Sequence, residues 1–320
     1  MPSLLRYEPI EPFASGMLAV GDGNEVYWEQ VGTPDGKPAV VLHGGPGSGA
    51  GSWWRRLFDP RAYCVTLFDQ RGCGRSTPNA GDPAVDLSTN TTAHLIADIE
   101  RLRMHAGAER WLVAGASWGS TLGLAYAQAH PDHVSEIVLF SVVTTTRREV
   151  EWITRDVGRL VPEEWERFRD GVPVEDRDGN LAAAYHRLLE LPDPATRERA
   201  ARDWCAWEEV HVAIGRDRTP DPRFEDPAFR SCFARLVTHY WSHAAFVPDG
   251  GLLRDCAKLA GIPGVLIHGR LDLSSPLDIP WRLSREWSGS RLVVVGDAGH
   301  GLSGGTSGAV TTATDEFRAS

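Results

Sequence analysis

Polar and apolar positions divide the chain into segments of two kinds. Runs at Glu25 to Val31, Ala39 to Leu42 and Tyr63 to Phe68 read as strands, the last two short, apolar and bounded by Gly or Pro clusters. Helical spacing follows: Leu95, Ile99 and Leu102 recur at i, i+4 and i+7, while Asp98, Arg101 and Arg103 face away, and Asn90 to Thr92 can cap the start. A strand at 111–114, a helix at 120–129 stopped by Pro131 and a strand at Glu136 to Phe140 continue the alternation. Such alternation predicts an α/β fold, a mostly parallel sheet covered by helices on both faces.

Between about 141 and 247 the strand-like runs disappear, and Trp, Arg, Glu and Ala take over with helical periods. Pro162-Glu163-Glu164 opens one helix with a proline and acids near its positive end. Leu181, Ala184, Tyr185 and Leu188 form the apolar stripe of another. Strand and helix alternation resumes after Pro248, with strands at Gly264 to His268 and Arg291 to Val295. The pattern therefore predicts a discontinuous core, 1–140 with 248–320, interrupted by an all-helical cap at 141–247.

Composition narrows the function classes. The chain has 320 residues, of which 42% are hydrophobic and 24% charged, and this is ordinary for a globular protein. Lys plus Arg number 33 against 43 Asp plus Glu, a formal charge of −10, so no nucleic-acid partner is expected. Residues 1–10 lack a basic segment followed by an apolar one, and no run is long enough to span a bilayer. The expectation is a cytoplasmic protein with no membrane partner. Five cysteines are scattered without C-x-x-C spacing, arguing against a disulfide framework and against a zinc site. Neither a cofactor nor a metal is expected; the partner would be a small-molecule or short-peptide substrate, and the pattern leaves the oligomeric state unknown.

The candidate chemistry begins at Gly115-Ala116-Ser117-Trp118-Gly119, between a strand-like and a helix-like run. Strand, tight turn and helix around Gly-x-Ser-x-Gly form a nucleophile elbow, which holds a serine hydroxyl beside a base and beside donors for a developing oxyanion. Two later strands end in loops carrying Asp272 and His300, at the sheet edge where open α/β sheets place their sites. The order Ser117, Asp272, His300 is the hydrolase order. Asp297 and Asp278 compete for the acid role, and Asp272 is preferred because it follows a different strand from His300. His43-Gly44-Gly45-Pro46-Gly47 follows an earlier strand and suits an oxyanion loop, with the amides of Gly45 and Trp118 as donors. The run Asp69 to Ser76 reads as a structural turn whose Asp and Arg hold neighbouring loops.

Taken together, the sequence resembles the proline iminopeptidases, α/β-hydrolases with a helical cap. The resemblance rests on His-Gly-Gly-Pro-Gly at 43–47, Asp-Gln-Arg-Gly-Cys-Gly-Arg-Ser at 69–76, Ser-Trp-Gly-Ser-Thr-Leu at 117–122, His-Gly-Arg at 268–270 and Asp-Ala-Gly-His at 297–300. Cap phrases at 162–167 and 183–187 extend it over nearly the whole chain. It implies Ser117, Asp272 and His300 as the triad and removal of an N-terminal proline as the ancestral reaction. It further implies two cap glutamates for the proline amine. The first matches Glu208 in Trp204-Cys205-Ala206-Trp207-Glu208, at the margin of a buried stripe of Ala200, Trp204, Trp207 and His211, with Glu209 facing solvent. Val237 occupies the place of the second. Glu208, Val237, Trp207 and Tyr240 are thus the expected substrate-binding residues. The Val237 exchange keeps open a specialised esterase, amidase or tailoring hydrolase, and the fold alone would also serve a non-catalytic binding protein.

Overall fold

Runs such as Val40-Val41-Leu42 and Leu112-Val113 are wholly buried, as strands covered on both faces must be. The computed structural model describes residues 7–214 and 220–318. Its strands are β1 (Ala14–Gly21), β2 (Asn24–Gly32), β3 (Lys37–Leu42), β4 (Tyr63–Phe68), β5 (Trp111–Ala116), β6 (Val134–Phe140), β7 (Gly264–Gly269) and β8 (Ser290–Val295). They form one sheet in the order β1-β2-β4-β3-β5-β6-β7-β8. β1 pairs antiparallel with β2 and β2 antiparallel with β4, while every pairing from β4 through β8 is parallel.

Side chains of a strand alternate between faces, and here the alternation divides the core. Val40 and Leu42 of β3 pack with α1 (Thr92–His105) and α2 (Trp118–Ala129), whereas Ala39 and Val41 face the other core, which holds Val310 and Ala313 of α10 (Gly304–Phe317). The parallel register aligns the carboxyl ends of the central strands, pairing Leu42 with Gly115, Ala116 with Phe140 and Gly269 with Val295. Loops carrying His43, Ser117, Asp272 and His300 consequently leave the sheet along a single edge.

Between β6 and β7 the described residues contain helices and no strand: α3 (Arg147–Thr154), α4 (Pro162–Asp170), α5 (Leu181–Leu189), α6 (Pro194–Ala213), α7 (Pro227–Ser242) and the short α8 (Gly251–Arg254). α4 starts with proline in its first turn and with Glu163 and Glu164 beside it, as patterned. α4 to α7 pack through an aromatic cluster in which Phe168 stacks on Tyr185 at 4.8 Å and on Trp207 at 5.1 Å, with Trp204 edge-on at 5.6 Å. α9 (Asp278–Glu286) covers β7 and β8.

Two local expectations need correction. α2 begins at Trp118 and not at Ser120, because the helix starts directly from the serine turn. Asp98 does not face away: it is wholly buried, and Arg71 from the 69–76 turn grips it through Nε at 2.5 Å and a second nitrogen at 2.8 Å. The same guanidinium reaches Asp22 and the Val20 carbonyl, so it ties β1, the turn and α1 together. Arg71→Leu would strand a buried carboxylate, and we expect a loss of about 3–5 kcal/mol in urea unfolding. Adding Asp98→Leu should recover much of that loss; equal stability of Arg71→Leu and the parent would refute the account.

Candidate active site

The chain turns from β5 into α2 at Ser117, whose φ of 52° and ψ of −123° are outside the comfortable regions for a side chain with a Cβ. The turn is possible because its flanks are glycine. A Cβ on Gly115 would lie 2.3 Å from the Gly119 carbonyl oxygen, and one on Gly119 would lie 2.0 Å from that of Leu42. The Ser117 amide donates to the Phe140 carbonyl at 3.1 Å, and the Ser117 carbonyl accepts the Ser120 amide at 2.8 Å, so both ends of the turn are pinned.

Three side chains from separate loops meet here. Ser117 Oγ is 3.0 Å from His300 Nε2, and His300 Nδ1 is 2.9 Å from Asp272 Oδ2. Asp272 accepts the proton on Nδ1, which leaves Nε2 free to accept from the serine hydroxyl. Asp297 and Asp278 are exposed and belong to no such chain of contacts. The acid loop is tied to the base loop by the Leu271 amide, which donates to the Ala298 carbonyl at 2.9 Å, and the base loop is tied to the loop after β6 by the Gly301 amide, which donates to Ser141 Oγ at 2.8 Å.

Burial pushes the Asp272 carboxyl up, yet the adjacent charge and hydrogen bond of His300, with smaller help from His268 and the Ser275 amide, leave it below the ordinary carboxylate range. The Ser275 amide donates to Oδ1 at 2.9 Å and its hydroxyl to Oδ2 at 3.3 Å. His268 lies beneath, 3.6 Å from the same carboxylate. Its Nδ1 accepts the Val142 amide at 3.0 Å, so Nε2 carries the proton and donates to the Ser275 carbonyl at 2.7 Å. Desolvation lowers its pKa and keeps it neutral, a support for the aspartate loop and no second base.

The 43–47 loop lies against the serine, since a Cβ on Gly44 would sit 3.4 Å from that of Ser117. Trp118 supplies the first amide of α2, which has no intrahelical acceptor. Gln70 links the two halves: its side-chain amide donates to the His43 carbonyl at 3.0 Å and accepts from Trp118 Nε1 at 2.9 Å. His43 Nε2 accepts the Gln70 backbone amide at 3.0 Å, which assigns the proton to Nδ1, facing the Gly44 carbonyl at 2.9 Å. Asp69 holds the next stretch through the Ala50 amide at 2.8 Å and Arg75 Nε at 2.7 Å. The 69–76 turn is structural, as its composition suggested.

A cavity opens over Ser117 and His300, bordered by Gly45 and Trp118. Val143, Val150, Trp152, Ile153 and Trp241 make most of it apolar; Thr145, Glu149, Glu208, His211 and Ser274 make the rest polar. Of the expected substrate residues Glu208 lines it, while Val237, Trp207 and Tyr240 do not. Val237 is wholly buried in the hydrophobic core, and Trp241, one turn further along α7, reaches the cavity instead. Trp207 is spent on Phe168 and on a 3.2 Å hydrogen bond to the Ile153 carbonyl, supporting the wall from behind. Tyr240 packs against Trp118, with ring centroids 4.8 Å apart. Glu209 is half-buried and not solvated, because it accepts the Asp221 amide at 2.9 Å.

Glu149 and His211 are ionisable lining groups to which the sequence reading gave no role in the site. Glu149 lines the cavity but is tied to its own loop by four hydrogen bonds, from the amides and hydroxyls of Thr144 and Thr146 at 2.6–2.9 Å, three to Oε2 and one to Oε1. The Thr-x-x-Glu spacing at 146–149 was the available signal for that capping box. His211 sits 3.1 Å from Glu208 Oε2 and 2.8 Å from Ser274 Oγ. Away from the cavity, Glu100, His130 and His133 bring ligand-type atoms within 4.8 Å of one another. Glu100 is already held by Arg103 at 3.0 Å and by the Tyr126 hydroxyl at 2.6 Å, which leaves a cation little to gain there.

An elbow serine, a relayed histidine and a parallel sheet define a serine hydrolase of the α/β-hydrolase class, and the family model for the alpha/beta hydrolase fold matches residues 37–303. Solved structures agree on the fold: VinJ (TM-score 0.65, 18% identity, 97% of this chain and 99% of that one) and a proline iminopeptidase-related protein of Thermus thermophilus (TM-score 0.56, 21% identity, 96% and 97%). The chain is 55% identical to a "Probable proline iminopeptidase" of Streptomyces coelicolor over 97% of each chain. It is 44% identical to a "Proline iminopeptidase" of Xylella fastidiosa, over 92% of this chain and 93% of that one, and 41% identical to one of Arabidopsis thaliana, over 98% and 82%. The chain belongs to the proline iminopeptidase family of the α/β-hydrolases. No helix among the described residues is long and apolar enough to cross a membrane.

Proposed function

We propose that this protein removes an N-terminal proline, or a closely similar amine-bearing acyl group, from short peptides in the cytoplasm through an acyl-enzyme. The observation that carries the reading is a hydroxyl–imidazole–carboxylate relay opening into a mostly apolar cavity where Glu208, among the described residues, is the lining carboxylate that keeps an oxygen without a protein partner. His300 Nε2 takes the Ser117 proton as Oγ bonds to the substrate carbonyl carbon, and the carbonyl oxygen becomes an oxyanion facing the Gly45 and Trp118 amides. Asp272 holds the imidazolium that results. That imidazolium gives its proton to the leaving amine as the C–N bond breaks, leaving proline esterified to Ser117. Water, deprotonated by His300, attacks the ester; Oγ leaves and recovers the proton.

Glu208 Oε2 meets His211, and Oε1 has no protein partner among the described residues, so it is open to a substrate ammonium. A cationic amine leaving water needs such a partner. The case for an ester or amide hydrolase with an apolar acyl wall rested on Val237, which does not line the cavity. Glu208→Gln keeps the shape and removes the charge. The ratio of kcat/KM for prolyl p-nitroanilide to that for its cyclopentanecarbonyl analogue, which lacks the amine, is expected to fall by about 10- to 100-fold. An unchanged ratio would overturn the amine assignment.

A further inference from the structure

Glu208 is not a free-standing charge. His211, one turn further along α6, is buried to 2% exposure and joins two elements: Nε2 lies 3.1 Å from Glu208 Oε2, and Nδ1 lies 2.8 Å from Ser274 Oγ, on the loop that carries Asp272. Ser274 Oγ has no other partner among the described residues, so its hydroxyl can turn either way. When it donates into Nδ1, the imidazole is neutral, its Nε2–H orients Glu208, and the pair carries one negative charge.

We infer that His211 is a positioning residue: held by Ser274, it orients Glu208 toward the substrate amine. The inference rests on the amine reading above and adds to it the group that positions the carboxylate. The other charged groups facing this spot from packed elements are Glu149 on α3 and the Asp272–His300 couple of the loops after β7 and β8. Glu149 is held by its threonine donors, and neither Lys nor Arg lines the cavity among the described residues, so His211 is the lining group that fixes Glu208.

The test is the ratio of kcat/KM for prolyl p-nitroanilide to that for the cyclopentanecarbonyl analogue, measured at one pH. A change in the Ser117–His300–Asp272 relay enters both rates and cancels. His211→Gln keeps a donor near Glu208, and its ratio should stay near the parent's. His211→Leu removes the donor and should lose about tenfold. A parent ratio retained by His211→Leu, or a loss in His211→Gln equal to that in His211→Leu, would overturn the assignment. Glu208→Gln separates the two levels: if it leaves the ratio unchanged the amine reading itself falls, whereas if it collapses the ratio while His211→Leu tracks the parent, only the role of His211 falls.

Discussion

Ser117→Ala is expected to lower kcat on prolyl p-nitroanilide by about a millionfold while leaving the fold intact. The substitution removes one oxygen and retains the Cβ, so the backbone at φ 52° holds a side chain no worse suited to it than serine. What disappears is the atom 3.0 Å from His300 Nε2, and no other hydroxyl takes its place, because Ser274 is engaged with His211 and Ser275 with Asp272. The residual rate would come from the Gly45 and Trp118 amides and from binding, acting on a water molecule. Labelling by a fluorophosphonate should vanish in parallel. A variant that retained a hundredth of the parent activity, or that still took up the label, would remove Ser117 from the chemistry.

The parts of this site that were legible in the sequence are those in which a residue type imposes a geometry. Glycines at 115 and 119 can be read as an elbow because any Cβ there would strike backbone. Strand ends could be read as neighbours because parallel strands align their carboxyl edges. Choosing Asp272 over Asp297 needed only the idea that the acid should approach from another strand, and the β7–β8 register puts it there. Other parts depended on partners remote in the chain. Asp98 lies on the polar side of a helical wheel, and nothing local reveals Arg71 waiting 27 residues earlier. β1 shows no clear run because it is a half-exposed edge strand in which only Val20 is fully buried. α10 is rich in Gly and Thr, poor helix formers, and owes its helix to burial of Val310, Ala313 and Thr314 against the sheet. At Val237 and Tyr240 a family phrase identified the helix turn but not the direction of each side chain, so the cavity wall came from Trp241 instead.

The aspartate yields the second large effect, and its local wiring dictates how. In Asp272→Asn the side chain keeps its size but must choose which end faces which neighbour. The Ser275 amide points at the present Oδ1 from 2.9 Å, and an amide donor there demands an oxygen. The asparagine Nδ2 is therefore turned to the position of Oδ2, against His300 Nδ1, where the carboxylate now accepts at 2.9 Å. A donor facing Nδ1 forces the imidazole proton to Nε2, so the ring presents a hydrogen to Ser117 Oγ when it should present a lone pair. It also leaves the imidazolium of the transition state without its counter-charge. Together these should lower kcat by about ten thousandfold at neutral pH, with KM for the prolyl substrate changed little. Lowering the pH cannot imitate the substitution, since His300 and the Ser275 amide hold the Asp272 carboxyl ionised below its ordinary range. Nitrogen-15 NMR of the His300 ring is the direct check: protonated Nδ1 in the parent and protonated Nε2 in the variant. A variant with the parent tautomer and a tenfold or smaller loss of kcat would show that Asp272 does not direct the base.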